Sequence, residues 1–272
     1  MASSTVVRRR FAGTNARGGP ADPHLRQDRW WAQPLTYIVV LGAFVVYSTY
    51  AILIGNNFQL TDGGRHIISP FYSPCTADAC GTDTTPALGA FLGAAFLASR
   101  ILWMLFPLSF RGTCYYYRKA YYRSFFFSPP ACAVAEPHRR YTGERRLPLI
   151  VQNTHRLWFF PAVGLIIMLG YDAYKAFNFG GSVGMSLGTL MLCINVILLA
   201  LYTFGCHSCR HVVGGRINHF SKHPLRYRLW TLVSKLNAKH GLYAWVSLVF
   251  VALTDLYIRM AAAGWYPDPR FF

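Results

Sequence analysis

The sequence predicts an all-α polytopic membrane protein, a bundle of five transmembrane helices with a cytoplasmic N-terminus and an external C-terminus. Its 272 residues are 53% hydrophobic and only 14% charged, which is too apolar for an ordinary soluble domain. A helix needs about 20 mostly apolar residues to cross a hydrocarbon core roughly 30 Å thick. Five stretches meet this requirement: 35–54, 88–108, 157–173, 183–204 and 241–258.

The positions of the basic residues predict the orientation of these helices. Six Lys and Arg residues precede the first span, eight lie in the segment 109–154, and seven lie between the fourth and fifth spans. Because cytoplasmic loops carry the excess of Lys and Arg, the loops 109–154 and 206–240 are expected in the cytoplasm. The external segments are then 55–87, 174–182 and the C-terminus. This distribution explains the net charge of +17 without a nucleic-acid partner.

The first 34 residues are basic and rich in glycine, and they are expected to form a disordered or partner-bound cytoplasmic arm. They do not resemble a cleavable signal peptide, because the apolar segment that follows is too long and lacks a small-residue cleavage site. The predicted domains are therefore the arm 1–34, the transmembrane domain 35–263 and an external tail 264–272.

The first external loop contains Cys75 and Cys80, five positions apart on the oxidising side of the membrane. This spacing permits a disulfide, and two unpaired thiols are the alternative. Neither state makes the loop catalytic.

The first cytoplasmic loop begins with residues 115–127, where aromatic and basic residues alternate without glycine or proline. This pattern predicts a helix at the membrane interface, with Tyr rings at headgroup depth and cations near phosphates. The alternative is that these side chains line the mouth of a site for an amphiphilic ligand.

Arg100 and Asp255 fall inside predicted spans, and Arg259 directly follows the fifth; ionisable groups at such positions usually face a partner or a cavity. Arg100 lies toward the cytoplasmic end of the second span and can extend its guanidinium to the interface. Asp255 and Arg259 are four residues apart near the outer end of the fifth span, which predicts an ordinary pair along one helix face.

The strongest motif is a pair of cysteines, Cys206 and Cys209, where the fourth span gives way to basic sequence. Their spacing lets both sulfurs reach one metal ion, and basic neighbours favour the thiolate. The predicted topology brings two helix starts to the same depth, at His155 and at His240. His155, Cys206, Cys209 and His240 are therefore the candidate metal ligands.

Two thiolates and two imidazoles are the ligands of a tetrahedral zinc site or of a Rieske-type 2Fe-2S cluster, and the spacing does not decide between them. His207 and His211 are rival ligands because they lie close to the cysteine pair. Cys193 is expected to be a small buried hydrophobic residue. Cys114 and Cys132 show no partner pattern.

Four phrases of the sequence resemble the membrane anchor, the cytochrome b-type C subunit, of actinobacterial succinate dehydrogenases. They are the run 65–75, the His155-Arg156 start of the third span, the run 206–209 and the run 239–241. The resemblance extends from Trp30 to Tyr266. None of these phrases is a general motif, but they are distinctive as a set.

The resemblance implies a multi-pass subunit of the plasma membrane that docks on an iron-sulfur subunit, which is itself attached to a flavoprotein oxidising succinate. Electrons then pass to menaquinone. In mycobacterial members the anchor is associated with a membrane-embedded Rieske-type cluster, which His155, Cys206, Cys209 and His240 would hold here. A small extra membrane subunit, bound lipids and a higher oligomer are further expectations.

One departure keeps other cofactors open. Soluble Rieske domains carry a pair of boxes, Cys-x-His and Cys-x-x-His, and this chain does not reproduce that pair because it has no Cys-x-x-His. Haem b with His155 and His240 as axial ligands is thus an alternative, and a non-redox scaffold that binds zinc is another. Menaquinone needs an apolar slot with a few polar groups at the cytoplasmic edge. The candidates are Arg156, Trp158, Ser109, Tyr116, Tyr117 and Trp230.

Overall fold

Helices dominate the part of the chain that the computed structural model describes, which is residues 28–54, 56–62, 65–73, 100–128, 132–134, 145–147 and 149–272. The helices in these ranges are α1 Ala32–Ile54, α2 Arg100–Thr113, α3 Tyr115–Phe125, α4 His155–Lys175, α5 Leu187–Phe204, α6 His207–Gly214, α7 Pro224–Ala238 and α8 His240–Ala262. The strands are β1 Gln59–Asp62, β2 Arg65–Ile68, β3 Asn178–Phe179 and β4 Ser182–Val183. Short 3₁₀ helices occupy Pro70–Tyr72, Leu149–Thr154 and Phe220–Lys222.

Four helical segments among the described residues are long and apolar enough to cross a membrane. They are Ala32–Ile54, Leu149–Lys175, Leu187–Phe204 and His240–Ala262, and they match the first, third, fourth and fifth predicted spans. Of the second span, 88–108, only the end is described, as the start of α2, while the cysteines Cys75 and Cys80 lie outside the described residues. The helical, multi-pass character is thus confirmed, and the fifth crossing and the orientation of the termini stay predictions.

The fourth span begins later than predicted, at Leu187 instead of residue 183. Strands β3 and β4 pair in a tight antiparallel hairpin just before it. Its two turn residues, Gly180 and Gly181, have φ values of +62° and +98°, a backbone conformation that side chains disfavour. Hydropathy alone did not detect this turn, because Val183 is apolar.

The segment 206–240 is predicted as a loop, and it forms the two helices α6 and α7, which pack against each other. Proline at the first position of α7 presets the backbone for a helix. Arg226 on α7 donates hydrogen bonds to the carbonyls of Val213 (2.8 Å) and Gly215 (3.1 Å), which satisfies acceptors at the end of α6. The many charges on both helices hid them from a search for apolar spans.

Helix α8 lies at the centre of the bundle and packs against α5 and α1, while α5 packs against α4 and α4 against α2. Helix α3, expected at the membrane interface, packs against α1 and α2. Helices α4 and α8 begin at one end of the bundle, and α5 ends there. We call this the basic end. The opposite end, where β1 and β2 contact α8 and α4, is the hairpin end.

The hairpin end is held by Asp255, which is completely buried. Its carboxylate accepts hydrogen bonds from the Tyr47 hydroxyl (2.5 Å), from the Ser69 hydroxyl and from Arg259 Nε (2.9 Å). Arg259 also donates to the carbonyls of Ala51 (2.6 Å) and Asn56 (2.7 Å). The predicted pair on one helix face is thus part of a network joining α8 to α1 and to the segment 65–73.

A second carboxylate fixes the same segment, 65–73. Asp172 on α4 is buried and accepts a hydrogen bond from the Ser73 hydroxyl. Ser69 and Ser73 bracket the 3₁₀ helix Pro70–Tyr72, whose three residues are all buried. Tyr72 in turn donates to the Ala51 carbonyl (3.0 Å). The segment is therefore part of the core at this end.

Asn195 near the middle of α5 is a stability liability. It is completely buried, and neither polar atom of its carboxamide has a hydrogen-bond partner in the described structure. A buried polar group left unpaired costs about 1–3 kcal/mol. We expect Asn195→Leu to stabilise the protein by about this amount.

Thermal unfolding of the detergent-solubilised complex, followed by circular dichroism, tests the Asn195 prediction. The reference is Ile197→Leu, a change at an exposed apolar position of the same helix. A melting temperature that falls in Asn195→Leu would contradict it and would mean that a group outside the described residues pairs with this carboxamide.

Candidate metal centre

Four metal-competent side chains meet at the basic end, each at the terminus of a helix. His155 and His240 are the first residues of α4 and α8. Cys206 precedes α6, directly after α5, and Cys114 occupies the break between α2 and α3. All four are buried, with 1% to 8% of their surface exposed. The antiparallel packing of the bundle brings these termini to one depth.

The four side chains form a continuous chain of contacts. His155 Nε2 lies 3.0 Å from Cys206 Sγ, and Cys114 Sγ lies 3.5 Å from His240 Nε2. A hydrogen bond between Cys114 and Cys206 joins the two pairs. We call this set, His155, Cys206, Cys114 and His240, the Cys/His cluster.

Aromatic rings enclose the Cys/His cluster and fix its imidazoles. Phe110 is stacked on His155, with ring centroids 4.7 Å apart and planes within 9°. Tyr202 is stacked on His240 at 5.0 Å and 10°. Phe110 and Tyr202 also meet edge to face at 5.6 Å. The cluster therefore lies in a largely apolar enclosure, where few other polar groups can interact with it.

The pKa values of the two cysteine thiols in the cluster are shifted in opposite directions. Their mutual hydrogen bond lowers the pKa of the Cys114 thiol well below its usual range, and the imidazole of His240 lowers it further. The same hydrogen bond, together with burial, raises the pKa of Cys206. One thiolate is thus favoured in the cluster, and the thiolate is the form that binds a metal.

The structure brings together three of the four ligands predicted from the sequence, His155, Cys206 and His240. The fourth, Cys209, is buried in the same hydrophobic core, and burial raises the pKa of its thiol. Within the described residues, its sulfur has no hydrogen-bond partner, whereas Cys114 occupies the expected fourth position. Cys114 could have been found from the sequence, because it follows the second predicted span just as Cys206 follows the fourth.

The residues of the cluster fit a metal group in donor type. No group of three or more His, Cys, Asp and Glu side chains within the described ranges is already arranged to hold a single metal ion. Two buried thiols and two buried imidazoles are nevertheless the donors of a zinc site or of a Rieske-type 2Fe-2S cluster. The rival ligands His207 and His211 are both exposed, outside the enclosure.

Two of the predicted quinone residues, Tyr116 and Tyr117, lie beside the cluster. A Cβ atom on Gly241 would lie 2.5 Å from the Tyr116 ring, so glycine here permits the close approach of α3 and α8. The Tyr117 hydroxyl donates to the Ala244 carbonyl and accepts from Arg111 Nη1 (2.5 Å). Burial raises the pKa of Tyr117 to about 12, so its hydroxyl stays protonated.

The other four predicted quinone residues are spread along the basic end. Ser109 is half-buried on α2, and the Trp158 indole donates to the Thr154 hydroxyl (2.9 Å). Arg156 is exposed, with Nη1 3.3 Å from His211 Nε2. Trp230 lies on α7, where the guanidinium of Arg210 covers its ring at 4.7 Å. The contacts found do not join these four residues into one site.

Arg111 is a half-buried cation that the sequence reasoning did not select. Its Nη2 lies 3.0 Å from the Ser247 hydroxyl, and its guanidinium lies 4.6 Å from the centre of the Tyr202 ring. It is therefore one aromatic ring away from His240. No sequence pattern marks this contact, because a basic residue at the end of a span usually only marks the interface.

Comparisons with known proteins agree with this architecture. A family model described as actinobacterial succinate dehydrogenase subunit SdhC matches residues 32–264. A chain in the solved structure of the Mycobacterium smegmatis Sdh1 complex in the apo form is 47% identical, with a TM-score of 0.81. The match covers 91% of this chain and 93% of that one. No curated protein matches the chain.

Proposed function

Since the chain belongs to the actinobacterial succinate dehydrogenase SdhC family and is a membrane anchor subunit of that complex, we propose that it passes electrons to menaquinone through a Rieske-type 2Fe-2S cluster. The observation that carries this proposal is the Cys/His cluster. It supplies two thiols and two imidazoles within one buried enclosure, and these donors match the cluster's ligand set.

In this proposal His155, His240, Cys114 and Cys206 would hold the cluster. A bound cluster of this kind supplies one-electron transfer. The surrounding residues of this chain exclude water and orient the ligands: Phe110 and Tyr202 fix the planes of the two imidazoles. Cys209 remains the competing candidate for the second cysteine ligand.

The electron donor is proposed to be the iron-sulfur subunit, docked at the basic end and attached to the flavoprotein subunit. Exposed cations on the helices of this end favour a soluble partner with an acidic surface, because complementary charge steers association. They are Lys119 on α3, Arg228 and Lys235 on α7, and Lys239 between α7 and α8. This end would face the cytoplasm.

Menaquinone is proposed to bind at the edge of the same end. The first turn of α4 presents exposed Arg156 and half-buried Trp158 next to the ligand His155. An indole offers apolar area to the quinone ring, and a guanidinium can polarise a quinone oxygen. Tyr116 borders the other imidazole, at the start of α8. An electron would have only a short distance to travel from the metal cluster to a quinone at either position.

Electron paramagnetic resonance of the purified native complex tests the cofactor. We expect a reduced 2Fe-2S signal with coupling to imidazole nitrogen, and this coupling should change when the histidines carry ¹⁵N. A reducible haem band in the optical spectrum would support the haem b alternative instead. Metal analysis that finds zinc, and no more iron than the partner subunits contain, would overturn the proposal of electron transfer through this site.

The arrangement of the four side chains in the cluster favours an iron-sulfur cluster over haem b. The two thiols lie between the two imidazoles, as Cys206 contacts His155 and Cys114 contacts His240. Axial histidines of a haem would need the porphyrin plane between their rings. Both thiols would have to leave this space before a haem could enter.

A further inference from the structure

The hydroxyl of Thr113 lies between a backbone acceptor and the ring of His155. Its Oγ1 is 2.6 Å from the Ser109 carbonyl oxygen and 2.9 Å from His155 Nδ1. Thr113 is the last residue of α2, and only 6% of its surface is exposed. No solvent competes for these two hydrogen bonds.

Counting protons decides the direction of both bonds. A hydroxyl has one proton to donate, and a carbonyl oxygen can only accept. The proton of Thr113 therefore goes to the Ser109 carbonyl, and the Thr113 oxygen accepts the proton of His155 Nδ1. His155 carries a proton on Nδ1, and a neutral ring then presents the lone pair of Nε2 to Cys206.

The same helical turn holds the rest of the His155 ring. Phe110 covers its face in a parallel stack. Phe110 and Thr113 both lie in this turn of α2. The last turn of α2 thus controls both the plane and the tautomer of one imidazole.

His240 has no such control. Its Nε2 lies toward Cys114, and its Nδ1 is buried without a hydrogen-bond partner within the described structure. Tyr202 stacks on the ring and sets its plane, but a stacked ring does not select a tautomer. The two imidazoles of the cluster are therefore chemically different, although both are equally buried.

We propose that Thr113 is a positioning residue that fixes His155 as the Nδ1-protonated tautomer and so makes it the pre-set histidine ligand of the cluster. This role of Thr113 rests on the proposed function, which supplies the metal cluster that His155 would bind. A partner on the remote nitrogen of a ligating histidine orients the ring and raises its basicity, and its loss typically lowers metal affinity about 10–100-fold. His240 lacks this partner.

Two variants of the purified complex separate the hydroxyl from the rest of the side chain. Thr113→Val keeps the shape and removes the acceptor, whereas Thr113→Ser keeps the acceptor. We expect the chelator concentration that removes half of the cluster iron to fall about 10–100-fold in Thr113→Val and to stay near the wild-type value in Thr113→Ser. The nitrogen coupling of one imidazole should change in Thr113→Val while that of the other stays constant.

A measurement without the metal distinguishes this inference from the proposed function. Difference ¹⁵N nuclear magnetic resonance spectra of histidine-labelled, metal-free complex should show one ring changing its tautomer distribution between wild type and Thr113→Val. If the wild-type complex lacks a histidine-ligated cluster, the proposed function fails and this spectrum still decides the role of Thr113. An unchanged spectrum in Thr113→Val, or equal iron loss in Thr113→Ser and Thr113→Val, would overturn the inference.

Discussion

Cys114→Ser is expected to abolish the nitrogen-coupled iron-sulfur signal of the purified complex and with it the succinate-dependent reduction of menaquinone. The reason is geometric: Cys114 contacts His240 and Cys206 inside the enclosure, and a serine hydroxyl is a poor ligand for iron-sulfur clusters, which use cysteine thiolates. Succinate oxidation with a soluble electron acceptor should continue, because that chemistry belongs to the partner subunits. The loss is expected to be complete.

Cys209→Ser is the matched control for this experiment. Cys209 is also buried at the basic end, but its sulfur is not hydrogen-bonded to any described residue. We expect the signal and the quinone reduction to survive this change. The opposite pattern, with the signal lost in Cys209→Ser and kept in Cys114→Ser, would restore the ligand set that the cysteine spacing alone suggests.

Asp255→Ala is expected to cause the largest loss of stability. The change leaves the Arg259 guanidinium buried beside α1 without its carboxylate, and it removes the acceptor of the Tyr47 and Ser69 hydroxyls. Breaking a buried ion pair by removing one partner costs about 3–5 kcal/mol. The melting temperature of the solubilised complex measures this loss.

Tyr47→Phe provides the reference for Asp255→Ala, because it removes one hydrogen bond of the same network and keeps the ion pair. Its expected cost is about 0.5–1.5 kcal/mol. If Asp255→Ala unfolds no earlier than Tyr47→Phe, the Asp255–Arg259 pair does not stabilise the hairpin end. The metal site at the other end should keep its spectrum in both variants as long as they fold.

The membrane-spanning helices could be predicted from the sequence because their signal is local. A long and mostly apolar stretch identifies α1 without any knowledge of its neighbours, and the same holds for α4, α5 and α8. The hairpin before Leu187 and the helices α6 and α7 were missed for the converse reason. Their sequences are short or strongly charged, and packing against each other stabilises α6 and α7.

The candidate site was predictable only in part, since its residues come from helix ends far apart in the sequence. His155, Cys206 and His240 could be chosen because topology places three helix ends at one depth. Selecting Cys114 required a fourth helix end, that of α2, at the same depth. The spacing of Cys206 and Cys209 favoured Cys209 instead. The contacts of Thr113 and Asp255 depend on tertiary packing, which no local pattern encodes.

The network around Asp255 also sets an order of events during membrane insertion. The segment Ser69–Ser73 and Tyr47 are synthesised long before residue 255, yet their hydroxyls bind a carboxylate on the last helix. Arg259 on the same helix provides the donors for two carbonyls at the end of the first. A nascent chain that lacks α8 therefore exposes unpaired polar groups at this end. Insertion of the last helix supplies the partners of these groups together, so this end of the bundle can close only after α8 is in place.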